Sequence, residues 1–248
     1  MNFGRSGNPT LNEKTFERYG GAAYSQGMTL EGTVNKTLIA FIILVASALY
    51  TWNMYFDGHN PTTFMVAGVI GGGILGLLTS FIPRIAPFTV PVYALLEGMF
   101  VGALSAMYEA EFSGITVQAV LLTFGVFLAL LFAYKTRLIK ATENFKLGVF
   151  AATAAIAIVY LVNIVLNLFF SMSVPYLHDT GWIGIVISLV IVAVAALNLV
   201  LDFDFIENGV RAGAPKYMEW YGAFGLMVTL VWLYIEILRL LAKLSRRD

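Results

Sequence analysis

The sequence contains no cysteine and only two histidines among its 248 residues. Disulfides, thiolate catalysis and His/Cys metal clusters are therefore excluded. Charge is scarce as well. Asp, Glu, Lys and Arg make up 12% of the chain, about half their share in an average soluble domain. The 15 basic and 15 acidic residues cancel, so no basic excess offers itself to nucleic acid. The chain also has no H-E-x-x-H, no G-x-S-x-G and no phosphate-binding loop. No enzymatic activity is expected. Glu13, Glu17 and Glu31 in the first 36 residues do not fit the apolar core of a signal peptide.

Apolar residues are abundant. They make up 59% of the chain, and its mean hydropathy is +0.80. A soluble fold of this size needs more polar surface to cover its core, whereas lipid solvates apolar side chains directly. Seven apolar segments are each about as long as a membrane-spanning helix needs: Leu38–Phe56, Thr63–Ile82, Thr89–Tyr108, Ile115–Tyr134, Leu147–Val174, Gly181–Ile206 and Tyr217–Leu241. Continuous runs such as Ile183–Val200 do not alternate, which argues against an outer-membrane barrel. Helices also satisfy their own backbone hydrogen bonds, as lipid demands. The expected fold is an all-α polytopic membrane protein of seven transmembrane helices. Residues 1–36 form a cytoplasmic polar tail and 37–248 the transmembrane domain.

The connecting segments alternate in charge. Lys and Arg lie in the tail (Arg5, Lys14, Arg18, Lys36) and after segments two, four and six (Arg84; Lys135, Arg137, Lys140, Lys146; Arg211, Lys216). The other three loops carry Asp57, His59, Glu109, Glu111, His178 and Asp179 instead. This pattern follows the positive-inside rule and places the amino terminus in the cytoplasm. One feature conflicts. Seven spans put the carboxyl end outside, yet it is basic, with Arg239, Lys243, Arg246 and Arg247. Either the last segment is re-entrant or the six earlier ones dictate its direction. The second reading is preferred, because late segments obey the charge rule least.

Segment two contains Gly68, Gly71, Gly72, Gly73 and Gly76, of which Gly68–Gly72 and Gly72–Gly76 are small-xxx-small pairs that suit close helix packing. Pro83, Pro87 and Pro91 mark a tight turn.

Ionisable groups at membrane depth are costly and become functional candidates by default. Glu97 lies near the centre of segment three, where an isolated carboxylate must be protonated or paired. Segment six ends with Asn198, Asp202, Asp204 and Glu207. Asn198 and Asp202 share a helix face, while Asp204 points about 200° away from Asp202. In the bland reading the three acids are solvated at the interface. Segment seven holds Thr229 and Glu236 on nearly one face, and Glu236 stands three residues from Arg239, at intrahelical pairing distance. Asn163 and Asn167 suit hydrogen bonds between helices. A retinal Schiff base is excluded, since Lys216 and Lys243 flank the last segment and none lies inside it.

Several motifs in order then suggest a family. They are Met28-Thr29-Leu30-x-Gly32-Thr33-x-x-Lys36-Thr37, Glu97-Gly98-x-x-x-Gly102-x-x-Ser105, Gln118-Ala119-x-x-x-Thr123, Leu201-Asp202-x-x-x-Ile206-x-x-Gly209, Ala223-x-x-Leu226 and Leu238-Arg239. With this spacing the chain resembles the transmembrane Bax inhibitor motif family, in its bacterial branch. The resemblance implies a bundle whose last helix is central, wrapped by six others. It also implies a pH-sensitive calcium leak with a stress-protective role in the bacterial cytoplasmic membrane. Some bacterial relatives bind a membrane-anchored protease. In leak members one Asp on helix six and one on helix seven share protons and gate the path. The first corresponds to Asp202, with Asp204 as second choice, and the second position is occupied by Thr229, which does not titrate. Glu236 is the nearest acid on that face.

The leading expectation is a cation leak through Asp202, Glu97 and Glu236. Asp202 and Glu97 would be candidate oxygen ligands for Ca2+ as a permeant ion. No resident cofactor is expected. The alternative is a non-channel interaction protein that modulates a membrane protease or other membrane partner through its tail, which contains Phe16, Tyr19 and Tyr24. A secondary transporter would need inverted repeats, and none is seen. A purely structural role for the acids is the fourth reading.

Overall fold

The computed structural model of the chain describes residues 27–172, 174, 179 and 181–246. The tail residues 1–26, with Arg5, Lys14, Phe16, Arg18, Tyr19 and Tyr24, lie outside the described residues, as do His178 and Arg247. The elements are α1 (Leu30–Phe56), α2 (Thr62–Phe81), a 3-10 turn (Pro83–Ile85), α3 (Ala86–Glu111), α4 (Ile115–Lys135), α5 (Glu143–Phe170), α6 (Trp182–Arg211) and α7 (Met218–Ser245). All seven α-helices are long and apolar enough to cross a membrane, and no strand occurs among the described residues.

Local chemistry sets the helix ends. The Thr29 hydroxyl caps α1 by accepting the Gly32 N–H, and Thr142 caps α5 in the same way through Phe145. Gly114, at φ 83°, turns the chain into α4. Pro83 opens the 3-10 turn, and Pro87 sits at the start of α3. There a missing N–H costs nothing.

Helix α7 is the centre of the bundle, and most of its residues are buried. It packs against α6, α1, α3 and α4. Helix α2 lies outside α3, and α5 lies outside α6. The outer faces carry exposed Ile42, Leu77, Phe132, Leu161 and Phe169, the surface that lipid solvates.

Small residues allow the closest approach. A Cβ on Gly98 would stand 2.2 Å from the Leu44 carbonyl oxygen, and one on Gly102 would stand 2.1 Å from that of Ala48. Helices α1 and α3 are thus in backbone contact across this pair.

One expectation needs adjustment, and the preferred reading of the last segment holds. Helix α1 begins at Leu30 rather than Leu38, inside the stretch read as polar tail. The basic carboxyl end is not a sign of re-entry. Helix α7 runs unbroken for 28 residues, about 42 Å. At its end Arg246 meets Glu111 at 3.0 Å, and Lys243 donates to the Gly184 carbonyl at 3.0 Å. The two ends of the described chain therefore lie on opposite faces of the bundle.

Candidate functional site

Polar side chains gather at three depths along α7. On the face where α1 starts, Glu219 stands in the first turn of α7 and is 0% exposed. Its Oε1 accepts the Thr29 backbone N–H at 2.9 Å and the Thr29 hydroxyl at 2.8 Å. Lys216 reaches the same oxygen at 2.8 Å, and Lys36 pairs with the other. Nearby, the Met28 N–H donates to the Ala214 carbonyl at 2.7 Å. Residues 28–36 are thereby tied to the entrance of the central helix. Gly32 belongs to this arrangement, because a Cβ there would fall 2.1 Å from Glu219 Oε1.

A second network lies on the same face. Lys146 pairs with Asp204 at 2.9 Å, and Asn208 donates to Asp204 at 3.0 Å. The Tyr134 hydroxyl donates to Glu207, which also pairs with Arg137 at 3.0 Å and with Arg211. Asp204 and Glu207 thus fit the interfacial reading. Asp202 does not, being 0% exposed. The expectation that Asp202 and Asp204 point different ways agrees with this placement.

At the middle depth Asp202 and Thr229 are both buried, on α6 and α7 respectively. Asn198, one turn from Asp202, donates to the Thr153 hydroxyl and the Val194 carbonyl, each at 2.8 Å. Glu97 is set apart. It faces the glycine stripe of α2, where a Cβ on Gly72 would stand 3.2 Å from Oε2. Tyr93 stands one turn away on α3. The two residues line a cavity of about 460 Å³ between α2, α3 and α7. The stripe therefore divides in two. A Cβ on Gly68 would strike the Leu96 carbonyl oxygen at 2.5 Å, while Gly73 meets nothing within 4 Å.

At the far depth Glu236 is 2% exposed. It accepts the Tyr160 hydroxyl at 2.9 Å and pairs with Arg239 at 3.1 Å. The intrahelical pair expected from sequence is present, with a third member from α5. Lys243 donates to Ser188 at 2.8 Å. These side chains line a polar cavity of about 250 Å³ that also receives Tyr108 and Arg246. It shares no lining residue with the Glu97 cavity.

Among the described residues no group of three His, Cys, Asp or Glu is placed to hold a metal ion. Asn163 turns out to close a loop, accepting the Val174 N–H at 2.9 Å. Sequence reasoning missed Glu219, Tyr160 and the buried role of Lys243. A signal existed for the first. Thr29, Gly32, Thr33 and Lys36 recur at helical spacing on one face and call for a polar partner.

The remaining motif residues explain themselves in packing. Ser105 shares a 2.6 Å hydrogen bond with the Tyr234 hydroxyl across α3 and α7. Ala119 and Thr123 are buried on the inner face of α4. No curated protein and no solved structure matches the chain. A family model described as Bax inhibitor 1 like matches residues 8–246, nearly the whole length. The chain is therefore a membrane protein of the Bax inhibitor 1 like family.

Proposed function

We propose that this protein is a gated cation leak, permeable to calcium and sensitive to pH, described here in a closed form. The observation that carries the reading is the pair of buried carboxylates at two depths of the bundle centre. Asp202 on α6 is 0% exposed, and Glu236 on α7 is 2% exposed beside a polar cavity. A carboxylate away from water must hold a proton, a cation or a partner. Exchanging one for another links ion passage to pH. Thr229, at 3% exposed, offers a hydroxyl two turns before Glu236 on α7 but no titrating group. The apolar residues Leu230 and Leu233 fill the same stretch of α7 and would keep the path shut. Glu97 lies beside this route rather than on it.

The loop charges support an orientation with the amino terminus in the bacterial cytoplasm. The Glu236 cavity then opens outward. A slow leak of this kind fits a stress-protective role. The test is calcium entry into proteoliposomes carrying the purified protein. Entry above that of protein-free vesicles, and altered by Asp202→Asn, supports the proposal. Entry equal to that of empty vesicles at every pH between about 6 and 8 ends it.

A further inference from the structure

The cavity around Glu97 has a composition that the leak does not use. Its charged group is a single carboxylate midway along a spanning helix, and the Tyr93 and Ser80 side chains line the same space. Among the described residues no Lys, Arg or His pairs with it. The rings of Tyr93, Phe100 and Phe224 line the same space. Tyr93 and Phe224 meet edge to face, with centroids 5.0 Å apart. On the opposite wall Gly73 and Gly76 leave room that side chains would fill. The volume, about 460 Å³, falls among small-molecule sites.

We propose that this cavity binds a hydrophobic organic ammonium ion. The carboxylate supplies the counter-charge, and ring faces attract an organic cation through their quadrupoles. A hard divalent ion is served poorly, since calcium takes six to eight oxygen ligands and the site offers one carboxylate. Access is sideways from the membrane. Leu77 at the rim is 63% exposed on the lipid-facing surface of α2, so a ligand dissolved in the bilayer reaches Glu97 without crossing the bundle. Entry of the cation releases whatever proton the carboxyl holds, so charge is conserved at the site.

The proposal stands apart from the leak reading, because it needs neither Asp202 nor Glu236. The experiment is calorimetric titration of benzyltributylammonium into the full chain in lipid nanodiscs, with protein-free discs subtracted. Wild type should bind saturably at one site per chain. Glu97→Gln should weaken binding at least tenfold. Gly73→Leu should do the same by filling the cavity while keeping the carboxylate. That position has open space, so the fold should tolerate it. Gly125→Leu, on the outer face of α4 with equally open space, should bind as wild type does. Benzenesulfonate, an anion of similar apolar character, should not bind. Three results would each overturn the proposal: no saturable heat beyond empty discs, equal affinity in Glu97→Gln, or equal affinity in Gly73→Leu.

Discussion

Glu219 holds Thr29 by two hydrogen bonds to one oxygen, from the backbone N–H at 2.9 Å and the hydroxyl at 2.8 Å. The N-cap of the first helix is thus itself held by the first turn of the last. Lys36 and Lys216 complete the charge balance. Removing the carboxylate leaves both lysines facing a buried, uncompensated site. Glu219→Ala should therefore lower unfolding stability by roughly 3 kcal/mol. Lys216→Ala should cost less, since its side chain is 46% exposed. Thermal unfolding in one detergent checks the order, and equal losses would contradict it.

Gly32 should be as sensitive as Glu219, for a steric reason. A methyl group there would collide with Glu219 Oε1 and with the carboxyl carbon at 2.3 Å. Gly32→Ala should destabilise the wild type strongly, yet add little once Glu219→Ala is present. Residues in contact couple in this way, and a double-mutant cycle measures it. Gly148→Ala, with nothing within 4 Å, should leave the melting temperature nearly unchanged. Additive losses at Gly32 and Glu219 would mean that the two do not share a site.

The absence of cysteine makes topology directly measurable. Single cysteines at positions 140 and 213 should react with an impermeant maleimide only from the cytoplasmic side. Cysteines at 58 and 113 should react only from the other side. Position 140 follows α4 and 213 follows α6, while 58 and 113 follow α1 and α3. The reverse labelling pattern would invert the orientation read from the loop charges.

Arg239 and Arg137 both pair with a glutamate, but in different surroundings. Glu236 has a side chain 3% exposed, and Glu207 one that is 23% exposed. Arg239→Ala leaves a buried carboxylate with the Tyr160 hydroxyl but without its paired cation, whereas Arg137→Ala leaves Glu207 with Arg211 and some water. The first should cost about 2 kcal/mol and the second under about 1 kcal/mol. Denaturant titration of the two variants in mixed micelles compares them, and a larger loss at Arg137 would contradict the assignment.

Much of the architecture could be read in advance, because a bilayer writes itself into composition. All seven spans were visible as apolar runs, and six of them start within four residues of the expected position. The start of α1 was not, because Glu31 and Lys36 lower its local hydropathy. Lys36 is matched by Glu219, 183 positions away, and no local window contains both. The same limit hid Tyr160, which joins the Glu236–Arg239 pair from α5. It also made the basic end of α7 look anomalous, although Glu236 and Glu111 balance Arg239 and Arg246. The lone position of Glu97 was legible from its neighbours in sequence, but the cavity beside it was not. That cavity depends on which glycines of α2 touch α3 and which stand clear.

The most direct test of the leak is calcium flux in proteoliposomes between about pH 6 and pH 8, with three variants side by side. Asp202→Asn and Glu236→Gln should each change the pH response if the proposed route is right, because both carboxylates are buried. Glu97→Gln should leave it as in wild type, because its cavity shares no lining with the Glu236 cavity. Flux in which the Asp202 and Glu236 variants match wild type throughout the range would contradict the account.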